Sequence, residues 1–311
     1  MARAYPYSWG GPYRRYGYDV AADLTEIETE ALVSGTGSAL LTIGISEPVA
    51  ALGWERMAEE SAHFGITVAR AGSLLTAPSA DRRALGRDLF AAVRQQAGAG
   101  LIVAEVDTRD LEGLAAVVEA GFVPVDTSLT YIGDADEGPG NLHPSHGLSV
   151  DIGSPATVAF TDDEVALSVE VARASLHLDH WHSDPRVDPE RASEWYATWV
   201  QRAFEGTWAD VIILPRRDGV LVGFGCVKRW EVLEDRFGIP VVGRSLALAF
   251  GPQARGAGAA ITHAANTVRP LGYRFLEART SVRNLNLNNV VGRQGSMKLV
   301  RSAQVFHAWA D

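Results

Sequence analysis

The sequence predicts an α/β protein made of two domains in tandem, and three observations lead to this fold class. A chain of 311 residues is long enough for about two domains, each with its own core. A strand, a helix, a glycine break and a strand close the first half of the chain, and the same order closes the second half. Only the second half has a glycine-rich segment, R-G-A-G-A-A at residues 255–260. The repeated order indicates an internal duplication in which one copy has the loop.

The first half consists of an aromatic arm followed by alternating strand and helix patterns. Residues 1–20 contain six aromatic rings, which we expect to pack across a domain or a neighbouring subunit, as in a homodimer. Helices are predicted at 21–32, 81–96 and 110–120, and strands at 39–44, 65–75, 101–106 and 125–132. Charge, glycine and proline replace the apolar pattern at 134–147, so the domains are predicted at 21–134 and 148–311.

Local start signals place the elements of the second half. Thr161 with Glu164 forms a capping box before one helix, and Asp188 precedes a proline at the first position of the next helix, 189–204. The turn at residues 217–219 separates strands 211–214 and 220–227 and predicts a hairpin. The remaining predictions are strands at 245–250, 274–280 and 298–309, and helices at 261–271 and 285–294.

The glycine-rich segment predicts an anion site. It lies between a buried strand and a helix, and the N-terminus of a helix presents unpaired N–H groups and about half a positive charge. Small residues let a ligand approach the backbone without a clash, and Arg255 supplies a counter-charge. A phosphate or pyrophosphate is the anion that such a loop binds most readily.

Composition excludes several classes of protein. A net charge of −10 disfavours a broad nucleic-acid surface, and the single cysteine, Cys226, excludes an internal disulfide. No apolar run approaches the length of a membrane span, and the N-terminus does not have the order of a signal peptide. We therefore expect a cytoplasmic protein with no membrane or nucleic-acid partner.

These residues resemble those of the GCN5-related N-acetyltransferase (GNAT) family. Its acetyl-CoA signature is Arg or Gln, two residues, Gly, one residue, and Gly or Ala, and the segment from Arg255 to Ala260 fits it. The chain is also similar to the dTDP-fucosamine acetyltransferase type, in which an incomplete domain precedes a complete one. The similar segments include D-P-R-V-D-P-E-R-A-S-E-W-Y-A-T-W-V at 184–200 and F-H-A-W at 306–309. The resemblance implies two domains, each with a mostly antiparallel sheet flanked by helices.

The resemblance also implies a co-substrate and the residues that bind it. Acetyl-CoA would be the co-substrate, no metal would be needed, and a small amine, most readily a nucleotide-linked amino sugar, would be the acceptor. In this fold the strand before the loop has a bulge and diverges from the next strand, here near Glu277 to Thr280. The expected cofactor-binding residues are Leu248, Ala249, Phe250, Arg255, Gly256, Ala257, Gly258, Ala259, Ala260 and Asn284.

Candidates for the proton chemistry and for the acceptor site follow. The family has a tyrosine seven residues after an asparagine, but Val291 occupies that position after Asn284, so the usual acid is absent. The candidate bases are His180, His182, Glu277 and His307, of which His182, His307 and Glu277 are taken as catalytic. Residues proposed to bind the acceptor are His180, Arg186 and Arg244.

Three alternatives stay open. The spacing H-L-D-H-W-H-S-D at 177–184 would also suit a zinc site. A dinucleotide-binding enzyme would use a similar glycine loop, but only one helix remains after it, which is too few for that fold. The chain could also bind an acyl-CoA without transferring it, or acylate another amine, such as an antibiotic, a peptide or a protein N-terminus.

Overall fold

The computed structural model describes residues 38–43, 49–77, 79–134, 147–239, 241–249, 272–294 and 297–310. The chain divides into two compact units, unit 1 with Met1–Ser128 and Arg301–Asp311, and unit 2 with Leu129–Val300. The predicted aromatic arm, the helix at 21–32, the stretch 250–271 and most of the predicted boundary lie outside the described residues.

The described part of unit 1 contains a mixed sheet and three helices. Along the chain its elements are β1 (Ser38–Ile43), β2 (Ala50–Arg56), α1 (Ala58–Phe64), β3 (Val68–Thr76), α2 (Arg82–Gln96), β4 (Leu101–Asp107), α3 (Leu111–Glu119), the start of β5 (Val123–Asp134) and the end of β12 (Met297–Trp309). Strands β1, β2 and β3 pair antiparallel, β3 and β4 pair parallel, and β4 pairs antiparallel with β12. A core with Leu52, Phe90, Ile102 and Phe306 at its centre holds this unit together.

Unit 2 likewise combines a mixed sheet with helices. Its elements are β6 (Leu148–Gly153), α4 (Asp162–Ser175), α5 (His180–Ser183), α6 (Pro189–Phe204), β7 (Val211–Arg217), β8 (Val220–Leu221), β9 (Gly223–Arg229), α7 (Glu231–Phe237), β10 (Val241–Ala249), β11 (Phe275–Ser281) and α8 (Leu285–Gln294). The sheet order within it is β5-β11-β10-β9-β7-β6.

The two faces of the unit 2 sheet have separate cores. One face packs against α8 and includes Tyr131, Leu276, Ala278 and Val291. The other packs against α4 and α6 and includes Ala172, Val200, Phe204, Ile212 and Phe224. Trp195, Val200 and Phe204 are buried on the predicted stripe of α6, whereas Trp199 is only half-buried.

The local signals of unit 2 form as predicted. Thr161 and Glu164 complete the capping box of α4, and the Asp188 carboxylate accepts the N–H of Glu190 at 2.9 Å at the start of α6. Asp218 and Gly219 both have positive φ, 52° and 82°, which is the turn that suits a twisted hairpin. Strands β7 and β9 pair antiparallel on either side of it.

The two units share one order of elements, which confirms the predicted duplication. In each, an antiparallel pair (β2 with β3, β9 with β10) is followed by a strand parallel to its second member (β4 or β11) and then by a helix. Both antiparallel pairs have a break in register, between Leu52 and Trp54 in unit 1 and between Gly243 and Leu246 in unit 2. The resemblance between the halves therefore extends to their irregularities.

Several elements differ from the sequence prediction. The final strand was expected to lie wholly in the second domain, yet residues 301–311 belong to unit 1 because β12 pairs with β4 there, from Ala303 with Asp107 to Trp309 with Leu101. Gly65 was placed in a strand but ends α1 with a φ of 68°. The elements β2, α1, β6, α5 and α7 were not predicted.

Candidate active site

The parallel strands β10 and β11 pair at their first residues only, which leaves an opening between them. Val241 pairs with Phe275 and Val242 with Leu276, and no later pair joins the described residues of the two strands. Strand β10 nevertheless continues to Ala249, still paired with β9 on its other side, and β11 continues to Ser281. Beyond these two pairs, the backbone N–H and C=O groups of β10 and β11 do not pair with each other in the described residues. This is the arrangement that the resemblance implies for acetyl-CoA.

The cofactor residues predicted here are described only in part. Leu248 and Ala249 lie at the end of β10, opposite Phe224 and Gly223 of β9. The register break lies just before them, between Gly243 and Leu246. Arg244 also belongs to β10. Phe250, Arg255, Gly256, Ala257, Gly258, Ala259 and Ala260 lie outside the described residues.

Glu277 lies in the middle of β11, beside the opening. It is 4% exposed. Its neighbours Leu276 and Ala278 belong to the core that packs on α8. Because successive side chains of a strand alternate between faces, Glu277 is on the opposite face, which α4 and α6 cover. A buried carboxylate is a reasonable base, but it is expensive to bury without partners.

The short helix α5 places His182 beside α6. The Asp179 carboxylate caps α5 by accepting the N–H of Trp181 at 2.6 Å and that of His182 at 3.1 Å. The same carboxylate lies 2.6 Å from Nδ1 of His182, and Ser193 Oγ on α6 lies 3.2 Å from Nε2. Burial raises the pKa of Asp179, but its hydrogen bond with His182 and the charges of His182 and His180 outweigh burial, so the pKa is lowered and Asp179 is ionised at neutral pH.

Arg283 joins α5 to the carboxyl end of β11. It follows β11 directly, donates to the Asp179 carbonyl oxygen at 2.9 Å, and also donates to the Ser183 hydroxyl. The histidines of α5 are thus tied to the end of the opened strand pair. His180 is half-buried, with its ring 4.2 Å from that of Trp181. Arg186 is exposed after the Asp184 turn, and Asp184 accepts its backbone N–H at 3.0 Å.

Asn284 and Val291 have structural positions on α8. The Asn284 side chain accepts the N–H of Leu287 at 3.1 Å, so it caps the helix. Val291 is 1% exposed and packs in the same core as Tyr131. Where the family has a tyrosine hydroxyl, this chain therefore has the Val291 side chain, which makes apolar contacts.

Tyr131 is a phenol that the sequence did not bring to attention. Its hydroxyl donates to Asn288 Oδ1 at 3.1 Å, one helical turn before Val291, and burial raises its pKa. Asn288 Nδ2 in turn donates to the carbonyl oxygens of Ser281 and Val282 at 3.1 and 3.2 Å, where β11 ends. Tyr131 and Asn288 are separated by 157 residues, so no local pattern could have linked them.

His307 was also predicted to act as a base. It lies on β12 within unit 1, opposite Val103 of β4, and is fully buried. The sequence analysis placed the last strand in the second domain, whereas the end of this strand pairs with β4 in unit 1. The role of His307 as a base stays a prediction.

The structure bears on metal ligands and membrane spans only within the described ranges. There, no three His, Cys, Asp or Glu side chains could hold a metal ion together. Among the helices that the structure describes, none is long and apolar enough to cross a membrane.

Several solved structures with a similar fold are described as acetyltransferases. A tandem GNAT protein from the clavulanic acid biosynthesis pathway has a TM-score of 0.51 and 18% identity, over 89% of this chain and 85% of that one. A GCN5-related N-acetyltransferase from Sphaerobacter thermophilus has a TM-score of 0.57 and 14% identity, over 96% and 89%. The glucosamine N-acetyltransferase region of a fungal multi-domain GH3 β-N-acetylglucosaminidase has a TM-score of 0.58 and 14% identity, over 96% of this chain and 36% of that one.

At sequence identities this low, the structural similarity shows only that this chain shares the fold of these proteins. Together with the shared order of elements, it shows two GNAT-like domains in tandem, each a central sheet flanked by helices. No protein-family model matches the sequence, and no curated protein matches it significantly.

Proposed function

We propose that the chain is an acetyl-CoA-dependent N-acetyltransferase with its active site in unit 2. The observation that supports this most directly is the opened pair β10 and β11, with the His182 group tied to the end of β11 through Arg283. Backbone N–H groups along such an opening can bind the carbonyl oxygen of a thioester, which gains negative charge in the transition state.

The proposed binding of acetyl-CoA uses two parts of the chain. The backbone of Leu248 to Phe250 would bind the pantetheine arm and the thioester. The loop from Arg255 to Ala260 would bind the pyrophosphate, with N–H groups and the Arg255 guanidinium as donors. Each charged hydrogen bond of this kind contributes about 1.5–3 kcal/mol.

The reaction needs a base more than it needs an acid. An amine must lose a proton to attack the thioester, and the candidates for this role within unit 2 are His182 and Glu277. A thiol has a pKa of about 8.5, so CoA can leave as a thiolate without a protonated partner. A tyrosine acid at the position of Val291 would therefore aid catalysis, but the reaction does not require it.

The proposed acceptor is a primary amine on a small molecule, most readily an amino sugar attached to a nucleotide. This rests on the resemblance to the dTDP-fucosamine acetyltransferase type. One similar structure, of whose chain the alignment covers 36%, is described as a glucosamine N-acetyltransferase region. His180, Arg186 and Arg244 are the residues that we propose for the diphosphate and sugar of such an acceptor.

The test is an acetyl-transfer assay with a panel of amines. The protein is incubated with acetyl-CoA and dTDP- or UDP-amino sugars, aminoglycosides or peptides, while free thiol and product mass are followed. We expect CoA release and a product 42 Da heavier, the mass of an acetyl group replacing hydrogen, with about one class of amine. CoA binding measured by calorimetry, without release for any amine, would instead indicate an acyl-CoA-binding protein. Absence of CoA binding would contradict the proposal altogether.

A further inference from the structure

Asp179, His182 and Ser193 lie in one hydrogen-bonded line. Asp179 Oδ2 is 2.6 Å from Nδ1 of His182, and Nε2 of the same ring is 3.2 Å from Ser193 Oγ. The Asp179 and His182 side chains are 14% and 8% exposed, and Ser193 is 9% exposed. All three groups are therefore largely shielded from water, which strengthens hydrogen bonds between them.

The line determines which ring nitrogen of His182 has the proton. An ionised carboxylate only accepts hydrogen bonds, so Nδ1 must be the protonated nitrogen that donates to Asp179. In the neutral ring, Nε2 is then the acceptor, and the Ser193 hydroxyl donates to it. His182 thus presents its basic nitrogen to a hydroxyl group and not directly to solvent.

Two aromatic rings among the described residues contact the His182 ring. The ring of Tyr196 on α6 stacks on it with centroids 6.1 Å apart, and the ring of His177 meets its edge at 4.9 Å. His180 lies on the same short helix, and Arg283 reaches the backbone of Asp179. The Asp179 carboxylate, 2.6 Å from Nδ1, is placed to stabilise a protonated His182.

We propose that Asp179, His182 and Ser193 form a proton relay for the acceptor amine, with Ser193 as the group that contacts the amine. This rests on the proposed function. The Ser193 hydroxyl takes a proton from the ammonium group of the acceptor and passes its own proton to Nε2 of His182, which becomes imidazolium beside Asp179. The neutral amine then attacks the thioester carbon, the C–S bond breaks, and the second amine proton goes to the CoA thiolate.

The same contacts could be purely structural, because Asp179 also caps α5 and Ser193 is a buried helix residue. The variant Asp179→Asn separates the two roles. Asparagine caps helices about as well as aspartate, so α5 keeps its cap. Its amide N–H faces Nδ1 as a donor, however, and this moves the ring proton to Nε2. His182 would then donate to Ser193 and could no longer receive a proton from it.

The kinetic test compares Asp179→Asn, Ser193→Ala and the double variant with Ser168→Ala. Ser168 is a matched control, because it is also a buried helix serine, with its hydroxyl bonded to the Glu164 carbonyl oxygen at 2.7 Å. We expect each relay variant to lower kcat by about 10²-fold or more with a smaller change in KM, and to change the shape of the pH–rate profile. The double variant should cost no more than either single variant, because the residues act as a unit.

A second measurement does not depend on activity. Two-bond ¹⁵N–¹H correlation spectra of the imidazole rings report which nitrogen is protonated. We expect His182 to be protonated at Nδ1 in the wild type and at Nε2 in Asp179→Asn. A wild-type ring protonated at Nε2, or relay variants with the kcat and pH profile of Ser168→Ala, would overturn the relay. If no amine is acetylated at all, the proposed function fails, while the spectra still decide whether the hydrogen-bonded line exists.

Discussion

Glu164 gives the sharpest test of how α4 is held on the sheet of unit 2. One carboxylate oxygen accepts the Thr161 N–H at 2.9 Å in the capping box, and the other forms an ion pair with Arg216 of β7. The Glu164 and Arg216 side chains are 19% and 15% exposed, so water screens the pair only in part. We predict that Glu164→Gln keeps the capping box, since glutamine also serves at that position, but weakens the contact with Arg216.

The expected loss is about 1.5 kcal/mol in the free energy of unfolding at pH 7. Hydrogen bonds to charged groups contribute about 1.5–3 kcal/mol, against about 0.5–1.5 kcal/mol for neutral ones. The lower end applies because Arg216 keeps a second carboxylate, Asp151, whose oxygen lies 3.0 Å from its Nε. Urea unfolding followed by circular dichroism measures the difference.

The pH dependence of this loss has a definite sign. The hydrogen bond from Arg216 lowers the pKa of Glu164 below its usual value of 4.5. A carboxyl group with a lowered pKa stabilises the folded state above the unfolded pKa, and the contribution disappears as pH falls through the folded pKa. The gap between wild type and Glu164→Gln should therefore be constant above about pH 6 and should close in acid, below that lowered value.

The matched control is Glu170→Gln on the same helix, where the glutamate is 74% exposed in its pair with Arg173. We expect it to change stability by less than about 0.5 kcal/mol. A Glu164→Gln variant within about 0.5 kcal/mol of wild type at pH 7, or with a deficit that does not change in acid, would refute the reasoning.

Three further predictions concern other sites. Asp110→Ala should cost about 3–5 kcal/mol in urea unfolding, because it leaves the largely buried guanidinium of Arg82, now 2.9 Å from Asp110, without its carboxylate. Arg255→Ala should raise KM for acetyl-CoA about 10- to 100-fold in steady-state kinetics, by the loss of one charged contact to the pyrophosphate. Tyr131→Phe should cost about 1–3 kcal/mol in unfolding, because Asn288 Oδ1 loses its donor.

The exposed pair of Arg87 and Asp88 supplies controls for two of these predictions. Asp88→Ala should leave stability within about 0.5 kcal/mol, and Arg87→Ala should leave KM for acetyl-CoA unchanged. An Asp110→Ala variant as stable as Asp88→Ala would show that the Arg82 pair is not needed. Equal KM values for Arg255→Ala and Arg87→Ala would contradict the pyrophosphate site, and a Tyr131→Phe variant as stable as wild type would contradict the bond to Asn288.

Local patterns explain which parts of the fold could be predicted. The capping box at Thr161, the Asp188 cap and the Asp218 turn each depend on residues within four positions of one another, and all three formed. The duplicated order of elements was also visible, because hydrophobic periodicity is local. Strand β2, with the sequence A-A-L-G-W-E-R, was missed because its apolar and polar residues do not alternate and a glycine lies at its centre.

Non-local pairing explains what could not be predicted at the site. His307 matched a family position in the sequence, but the partner of its strand, β4, lies about two hundred residues earlier. Two hydrogen bonds likewise join segments that are distant in sequence, one from Tyr131 to Asn288 and one from Arg283 to Asp179. His182 was identified as a candidate from its position before the Asp184 turn. Its partner Ser193 could not be identified from the sequence, because the contact depends on the packing of α5 against α6.

The position of β12 affects how the chain is made. Residues 301–311 are synthesised after unit 2, and they supply the strand that pairs with β4 of unit 1. Unit 1 therefore cannot complete its sheet until all of unit 2 has been synthesised, and until then β4 keeps an unpaired edge. Unit 2, at 129–300, is one continuous stretch and has no such delay. Removal of residues 301–311 would thus disturb the folding of unit 1, while the proposed active site in unit 2 would have formed earlier.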